Sequence, residues 1–247
     1  ELIINTKQLS YYSNVVATSG DALKRELRNV IKTTHKRTLT YNDLRVYTAL
    51  TDADPNNPNN IILFYSRKRV SSKWDGGATW NREHVWPQSK GWFTTSGAGA
   101  DIHHLRPTNP SINSSRGNKA YGEVTDNKTY EPTDEVKGDV ARIIFYLLVR
   151  YSEADGYKIT ATATSMEMLL EWNKLDPVDD LERTRNEEAF KLQGNRNPFI
   201  DNYLYADMIW SSTLNLSLDN WTITGIYVEQ IEYVITLDEL KRSYNSI

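Results

Sequence analysis

Histidine and acidic side chains gather in one short part of the sequence. His84, His103 and His104, three of the four histidines, lie within 21 residues of one another. Glu83 directly precedes the first of them, and Asp101 lies two residues before His103. A neutral imidazole can accept a proton from water near pH 7, and carboxylate oxygens can hold a hard cation. The segment is therefore typical of a hydrolytic site.

The available ligand atoms favour a hard divalent ion over zinc. Glu83, Asn113 and Asn118 offer side-chain oxygens, which suit Mg²⁺, Mn²⁺ or Ca²⁺. A zinc site would need more imidazoles or thiolates, and the chain has no cysteine. His103 and His104 are consecutive, so that in an extended strand they point to opposite faces and do not easily share one ion. A zinc hydrolase is the weaker alternative.

The charges are distributed unevenly along the chain. The formal net charge is −3, but residues 67–119 hold nine lysines and arginines and three acidic residues, which makes this segment +6 and leaves −9 for the rest. Such asymmetry favours one basic surface that grips a polyphosphate, with Arg67, Lys68 and Arg69 as candidate nucleic-acid contacts. A chance cluster of solvated side chains explains the charge equally well at this point.

Several sequence blocks resemble the bacterial endonuclease I family, over residues 41–203. The blocks are Asn81-Arg82-Glu83-His84-Val85-Trp86-Pro87, Asp101-Ile102-His103-His104-Leu105-Arg106-Pro107, Asn113-Ser114-Ser115-Arg116-Gly117-Asn118, Gly138-Asp139-Val140-Ala141-Arg142, Asp176-Pro177-Val178 and Gln193-Gly194-Asn195-Arg196-Asn197-Pro198-Phe199-Ile200-Asp201. Their order and spacing make the resemblance specific.

The resemblance implies a metal-dependent nuclease with little sequence preference, acting on DNA and, as a further substrate, RNA. It implies that Glu83 and Asn118 hold the ion, that Mg²⁺ (or Mn²⁺ or Ca²⁺) is the cofactor, and that His84 is the general base. The implied fold is an α+β, ββα-metal (His-Me finger) core surrounded by helices. The implied location is secreted, either extracellular or periplasmic, and the first residue, Glu1, suits a mature chain whose leader has been removed.

Some relatives place a phosphate-binding arginine after the Glu-His pair, but no arginine occurs here between Val85 and Leu105. Arg106, Arg116 and Arg82, in that order, are the candidates for this role, because a guanidinium fork suits a phosphate. For His103 and His104, the sequence favours neither of two roles over the other. One is a contact with the metal site or the substrate, and the other is a purely structural role. For Asn113, a helix-cap or turn role is favoured over a ligand role.

The elements that must position these residues follow from periodicity. Helical spacing predicts helices over residues 21–32, 44–50, 140–151, 166–172, 181–192 and 202–210, and Gly194 is expected to end the helix over 181–192. The asparagine-rich stretch 54–60 predicts a turn, and the apolar run 61–65 predicts a buried strand. We expect a nuclease domain over residues 1–212 and a β-rich C-terminal extension over 213–247. Four tryptophans, Trp74, Trp80, Trp86 and Trp92, interleave with the basic segment; core packing is favoured for most of them, with base stacking as the alternative.

The length of 247 residues and the hydrophobic content of 39% suit one packed domain. No apolar run reaches the length of a membrane span, so we expect nucleic acid rather than a membrane as the partner, and a monomer. A catalytically silent nucleic-acid-binding protein on the same fold is the main alternative function.

Overall fold

The computed structural model describes residues 10–151, 157–211, 226–228 and 231–233. Helices form its body, with two short 3₁₀ turns at Gly97–Ala100 and Ile159–Ala161. The α-helices are α1 (Gly20–Thr34), α2 (Leu44–Thr51), α3 (Gln88–Gly91), α4 (Pro110–Arg116), α5 (Asp134–Arg150), α6 (Met166–Leu175), α7 (Asp180–Gln193), α8 (Pro198–Asp201) and α9 (Tyr205–Trp210).

The strands are short and form small, separate sheets. They are β1 (Ala53–Asp54), β2 (Asn57–Ile62), β3 (Arg69–Ser71), β4 (Asn81–His84), β5 (Leu105–Thr108), β6 (Ala120–Tyr121), β7 (Thr129–Tyr130), β8 (Ile226–Val228) and β9 (Ile231–Tyr233). Strands β1, β2 and β3 form a three-stranded antiparallel sheet in that order, and the pairs β4-β5 and β8-β9 are also antiparallel. Strands β6 and β7 run parallel. Helices and small sheets together confirm the expected α+β class.

Helix α5 is the centre of the hydrophobic core. Every residue from Val136 to Val149 is buried, so the helix has no solvent-facing stripe along this length. It packs against α1, α6 and α8, and its phenylalanine Phe145 also stacks on Trp210 of α9. A helix that is buried all round needs apolar side chains on every face, which explains the run Ile143 to Val149. The core helix predicted at residues 140–151 is confirmed.

Four charged residues within α5 or facing it are paired rather than solvated. Arg142 grips the carboxylate of Glu182 with two hydrogen bonds, of 2.7 Å from Nε and 2.6 Å from Nη2. Asp139, one turn earlier, accepts from Arg67 at 2.9 Å. Arg142, Glu182 and Asp139 are each at most 2% exposed. This buried network links α5 to α7 and to the segment that follows β2.

Substitution Arg142→Met is expected to lower the free energy of unfolding by about 3–5 kcal/mol, because the Glu182 carboxylate would stay buried without its partner. Urea denaturation followed by circular dichroism measures this. Lys191→Ala is the matched control, since the Lys191–Glu188 pair lies on the surface and its loss leaves the midpoint nearly unchanged. A loss below about 1 kcal/mol in Arg142→Met would contradict a supporting role for the network.

The predicted strand at residues 61–65 is placed differently. Strand β2 covers Asn57–Ile62, and the buried residues Leu63 to Tyr65 continue outside it. The asparagine-rich stretch expected to be a turn is therefore largely strand, because it lies at the exposed end of a narrow antiparallel sheet where polar side chains remain in water. The turn itself is reduced to the residues between Asp54 and Asn57.

The expected C-terminal extension, residues 213–247, falls outside the described residues except for β8 and β9, which form an antiparallel pair. The domain boundary at residue 212 stays a prediction. Within the described ranges, no helix combines the length and apolar character that crossing a membrane requires.

Candidate active site

The antiparallel pair β4-β5 and the helix α4 bring the predicted site residues together. Glu83 lies opposite Arg106 and His84 lies opposite Leu105 in the strand register. Helix α4 begins directly after β5, because Asn109 accepts the backbone N–H of Ser111 and a proline occupies the first helical position. The return of α4 places its last residue, Arg116, against the end of β4.

Glu83 is buried but only one of its oxygens is engaged by the protein. Its Oε1 accepts a hydrogen bond of 2.7 Å from the hydroxyl of Tyr65, and Nε of Arg116 lies 3.4 Å from the same oxygen. Among the described residues, none contributes a hydrogen bond or ion pair to Oε2. Burial raises the pKa of the Glu83 carboxyl, while Arg116 and the Tyr65 hydroxyl act in the opposite direction.

Tyr65 and Arg116 both belong to a buried cluster around Glu83. The hydroxyls of Tyr65 and Tyr121 lie 2.6 Å apart, and the guanidinium of Arg116 lies 4.7 Å from the centre of the Tyr121 ring. Arg116 also donates to the carbonyls of His84, at 3.3 Å, and Val85, at 2.5 Å. Neither Tyr65 nor Tyr121 lies in a recognisable motif, so the sequence gives no signal that either belongs to the site.

His84 points to the other side of the strand and is held in one tautomer. Its Nε2 lies 3.0 Å from the carbonyl of Gly99, and because a carbonyl only accepts, Nε2 carries the proton. Nδ1 is then the unprotonated nitrogen, and none of the described residues forms a hydrogen bond with it. Burial lowers the pKa of His84 to about 4, so the ring is neutral at pH 7.

The rest of the His84 environment is aromatic and tightly packed. The Tyr41 ring lies parallel to the imidazole at 5.5 Å, and Phe93 lies 5.5 Å away on another side. A Cβ at Gly99 would approach the carbonyl oxygen of Thr94 to 1.7 Å, so only glycine brings this carbonyl to His84. Nothing in the sequence identifies Gly99 as the partner of His84, because the two are brought together only by the fold.

Asn118 lies in the turn after α4, two residues beyond Arg116, and its side chain is exposed. The turn is closed by a hydrogen bond from the N–H of Lys119 to the carbonyl of Arg116. Of the described residues, none makes a side-chain hydrogen bond with Asn118, so its amide oxygen is available to a ligand. The structure thus places Asn118 at the end of the helix that contacts Glu83, without a direct link between the two.

Arg82 and Asn113 lie beside the site on opposite sides of β4. Arg82 is partly exposed, with its guanidinium 3.5 Å from the centre of the Tyr41 ring and a hydrogen bond to the Tyr41 carbonyl. Asn113 donates to the side chain of Asn81 at 2.7 Å and so braces α4 against β4. Asn113 lies within α4, whose N-cap is Asn109, so it is neither the helix cap nor the turn residue that the sequence favoured.

The other two site histidines are buried and form hydrogen bonds with the protein, His104 through both ring nitrogens and His103 through Nε2. His104 Nδ1 donates to the carbonyl of Ala98 at 2.7 Å, and its Nε2 accepts the N–H of Trp86 at 2.9 Å. His103 donates from Nε2 to the carbonyl of Asn195 at 3.0 Å. Burial lowers the pKa of His103 to about 4 and that of His104 to about 3. Their contacts indicate a structural role, with His104 fixing the turn that carries Gly99.

Arg106 and Arg116, the first two candidates for the phosphate contact, are both buried. Arg106 donates from Nε to Asp52 at 3.0 Å, lies 3.8 Å from Asp139 and covers the Phe64 ring at 4.3 Å. Arg116 is occupied by Glu83 and by backbone carbonyls, as described above. At 2% and 1% exposure, neither guanidinium faces solvent in this conformation, which argues against a direct phosphate contact for either.

The basic run Arg67, Lys68 and Arg69 lies outside this cluster and near acidic residues. Arg67 pairs with Asp139 at 2.9 Å, and Arg69 lies 3.2 Å from Asp54. Lys68 is exposed. Pairing offsets two of the three positive charges, so this run does not form a free basic surface, and its nucleic-acid role stays a prediction that the geometry does not favour.

A second acidic group lies behind the site. Asp139, Asp179 and Glu182 have carboxylate oxygens within 4.8 Å of one another. Two of them are already neutralised, since Arg67 and Arg106 approach Asp139 and Arg142 grips Glu182. A cation would compete there with guanidinium groups. We therefore assign this cluster to the ion-pair network and not to a metal site.

The chain is similar in sequence to several nucleases. An extracellular ribonuclease of Bacillus subtilis is 46% identical over 229 residues, covering 81% of this chain and 78% of the relative. An extracellular ribonuclease of Bacillus amyloliquefaciens is 44% identical with the same coverage. A periplasmic deoxyribonuclease of Aeromonas hydrophila is 27% identical over 117 residues, which is 41% of this chain and 47% of the relative.

The profile of the Endonuclease I family matches residues 19–130 and 125–203, a stretch that includes β4, β5, α4 and the central helix α5. The match covers more than half of the chain and contains the whole Glu83–His84 site. The chain therefore belongs to the endonuclease I family.

Proposed function

We propose that the protein is a metal-dependent endonuclease that hydrolyses phosphodiester bonds of DNA and RNA without reading the base sequence. The observation that carries the proposal is the pair Glu83 and His84. These neighbours project to opposite sides of one strand, so that each can serve a different role. Within the part of the chain that the structure describes, no residue bonds to Oε2 of Glu83, and His84 keeps one unprotonated nitrogen.

The residues present fit a hard divalent ion. Glu83 Oε2 and the exposed amide oxygen of Asn118 would hold Mg²⁺, Mn²⁺ or Ca²⁺, all of which prefer oxygen ligands. Zinc is disfavoured because Nε2 of His103 and both ring nitrogens of His104 are already used in protein contacts. A cation bound here would supply charge stabilisation for the phosphorane and for the leaving 3′-oxygen.

His84 supplies the base. Its neutral imidazole, with the proton fixed on Nε2 by Gly99, accepts a proton at Nδ1 from the attacking water. The oxygen of that water forms the new bond to phosphorus, and the bond from phosphorus to the 3′-oxygen breaks in line with it. The aromatic rings of Tyr41 and Phe93 hold the imidazole in place during the transfer.

Arg82 is the best placed of the three arginines to contact a phosphate. It and His84 are two residues apart on β4 and therefore lie on the same face of the strand, with Tyr41 packed against both. Its side chain reaches solvent, unlike those of Arg106 and Arg116. We infer that Arg82 meets the substrate backbone close to the scissile phosphate.

The named substrates of the relatives support a broad substrate range. The two most extensively aligned relatives above are ribonucleases, whereas the Aeromonas relatives are deoxyribonucleases. Contacts with phosphate alone do not distinguish bases, which suits cleavage of both polymers. Because these relatives are extracellular or periplasmic, we further propose that the protein acts outside the cytoplasm. The monomer expected from the sequence stays a prediction.

The test is degradation of plasmid DNA and of a structured RNA by the purified protein, with Mg²⁺ present and with EDTA in excess. We expect both polymers to be cut with Mg²⁺ and neither with EDTA. Binding without cleavage under all conditions would favour the silent nucleic-acid-binding alternative. Cleavage that persists in EDTA would exclude the metal site that we propose.

Tyr65→Phe tests the positioning of Glu83. Losing the hydroxyl that holds Oε1 is expected to weaken Mg²⁺ binding by about 10-fold, because groups that orient a ligating carboxylate typically contribute that much. The measurement is the Mg²⁺ concentration that gives half-maximal cleavage. Tyr130→Phe is the matched control, since Tyr130 packs on Tyr65 at 5.2 Å but forms no hydrogen bond with Glu83. Equal Mg²⁺ requirements in Tyr65→Phe and the wild type would contradict this role.

A further inference from the structure

Trp92 is the most exposed large apolar side chain among the described residues. Its relative exposure is 87%, and it follows α3 with a φ of 55°. That left-handed backbone conformation is rare for a bulky residue and costs free energy, so the surrounding structure must impose it. A tryptophan held out into solvent in this way calls for a role other than packing.

The neighbours of Trp92 fix its direction. Phe93 packs inward against the rings of His84 at 5.5 Å and His104 at 5.3 Å. On the other side, a Cβ at Gly91 would lie 2.3 Å from the Phe93 ring, so the chain turns tightly here. With Phe93 held inside and Gly91 closing the turn, Trp92 faces outward, one residue from the side chain that contacts the general base.

The other tryptophans of the basic segment have protein partners. Trp80 and Trp86 are fully buried, and Trp74 packs edge-on against Trp80 at 4.9 Å. Within residues 74–92, all of which the structure describes, Trp92 alone presents a free ring. Core packing therefore applies to Trp74, Trp80 and Trp86, whereas the ring of Trp92 is available for base stacking.

The place of Trp92 indicates what it stacks on. A substrate whose phosphate reaches His84 and Arg82 carries bases within a few ångströms of that phosphate, and every base has an aromatic face. Bases in an intact duplex are already stacked on their neighbours, so only an unpaired base can lie against the ring. A flat aromatic ring does not distinguish bases or read the 2′-hydroxyl, which suits a site that takes both RNA and DNA.

We propose that Trp92 is a stacking platform for an unpaired nucleobase next to the scissile phosphate, and that single-stranded segments of RNA or DNA are therefore the preferred substrates of this site. The proposal rests on the nuclease function proposed above. It adds a contact to the base, whereas the active-site cluster around Glu83 and His84 addresses only the phosphate and the water.

Binding is measured in EDTA, where cleavage is absent, with a short single-stranded DNA and an abasic strand of the same length and phosphate number. The wild type is expected to bind the abasic strand about 5- to 150-fold more weakly, the range for one stacked base. Trp92→Ala is expected to bind both strands equally, and Trp92→Phe to restore much of the difference. Val124→Ala, an exposed apolar residue outside the site, is the control and should match the wild type.

An equal affinity of the wild type for the two strands, or an unchanged difference in Trp92→Ala, would overturn the proposal. If Trp92→Ala changed only the self-association of the protein, as measured by sedimentation, the proposal would also be overturned. The ring would then pack against a second copy of the chain and not against a base. Cleavage is measured separately after Mg²⁺ is restored. Its absence in the wild type would refute the proposed nuclease function, whereas the binding comparison alone decides whether Trp92 stacks on a base.

Discussion

His84→Ala is expected to lower kcat by about 100-fold or more, because the imidazole proposed to accept the proton of the attacking water would be lost. The affinities for Mg²⁺ and for nucleic acid should stay close to those of the wild type, since His84 contributes neither a proposed metal ligand nor a phosphate contact. Initial cleavage rates at saturating substrate and metal measure the change in kcat.

The matched control for this variant is His35→Ala. His35 is a half-buried histidine outside the site, so its removal tests whether any histidine loss lowers activity. We expect His35→Ala to retain nearly full kcat. Full activity in His84→Ala would remove His84 from the mechanism. An equal loss in both variants would point to a general effect on folding, which circular dichroism of the two proteins would reveal.

Glu83→Gln is expected to weaken divalent-ion binding by more than about 100-fold. Loss of a residue that only orients a metal ligand typically weakens binding by about 10- to 100-fold, and loss of a ligand itself should have a larger effect. The amide keeps the shape of the side chain and can still accept from Tyr65, but the negative charge is lost. The same loss leaves Arg116 buried without its acidic partner, so stability should fall as well. Isothermal titration with Mn²⁺ measures the metal affinity.

Asn118→Ala separates metal binding from stability. Because the Asn118 side chain is exposed, its removal should change the free energy of unfolding by no more than about 0.5 kcal/mol. We still expect weaker Mn²⁺ binding, because one of the two proposed oxygen ligands is gone. Unchanged Mn²⁺ affinity in Asn118→Ala would exclude this residue as a ligand and leave Glu83 as the sole assigned one.

Much of the fold could be predicted because local patterns dominate it. The apolar periodicity around Ile143 and Ile144 identified the central helix, and the glycine Gly194 correctly marked the end of α7. The strand β2 was misplaced, because an apolar run such as Ile61 to Tyr65 indicates burial but not where hydrogen-bonded pairing begins and ends.

The arginines show where sequence reasoning fails. Arg106 lies in a motif next to the site, yet its partner Asp52 is 54 residues away in the chain. Only the fold brings the two together, so the sequence could not distinguish an arginine that binds phosphate from one that pairs with a buried acid. Arg116 is a similar case, since it holds the carboxylate of Glu83 and the end of β4 instead of facing solvent.

The residues that orient Glu83 and His84 could not be predicted from the sequence either. Gly99, which fixes the tautomer of His84, lies 15 residues away in a segment without regular periodicity. Tyr65 holds Glu83 from a buried run that the sequence identified only as a strand. Motifs therefore identified the groups that carry the chemistry, Glu83 and His84, whereas the groups that orient them required the tertiary structure.

The most direct test of the central claim is anomalous diffraction from a crystal soaked in Mn²⁺, combined with the same soak of Glu83→Gln. The proposal predicts one ion in contact with Oε2 of Glu83 and the amide oxygen of Asn118 in the wild type, and no ion there in the variant. An ion bound among Asp139, Asp179 and Glu182 with none at Glu83, or one held mainly by histidines, would contradict the assignment of Glu83 and His84 as the catalytic centre.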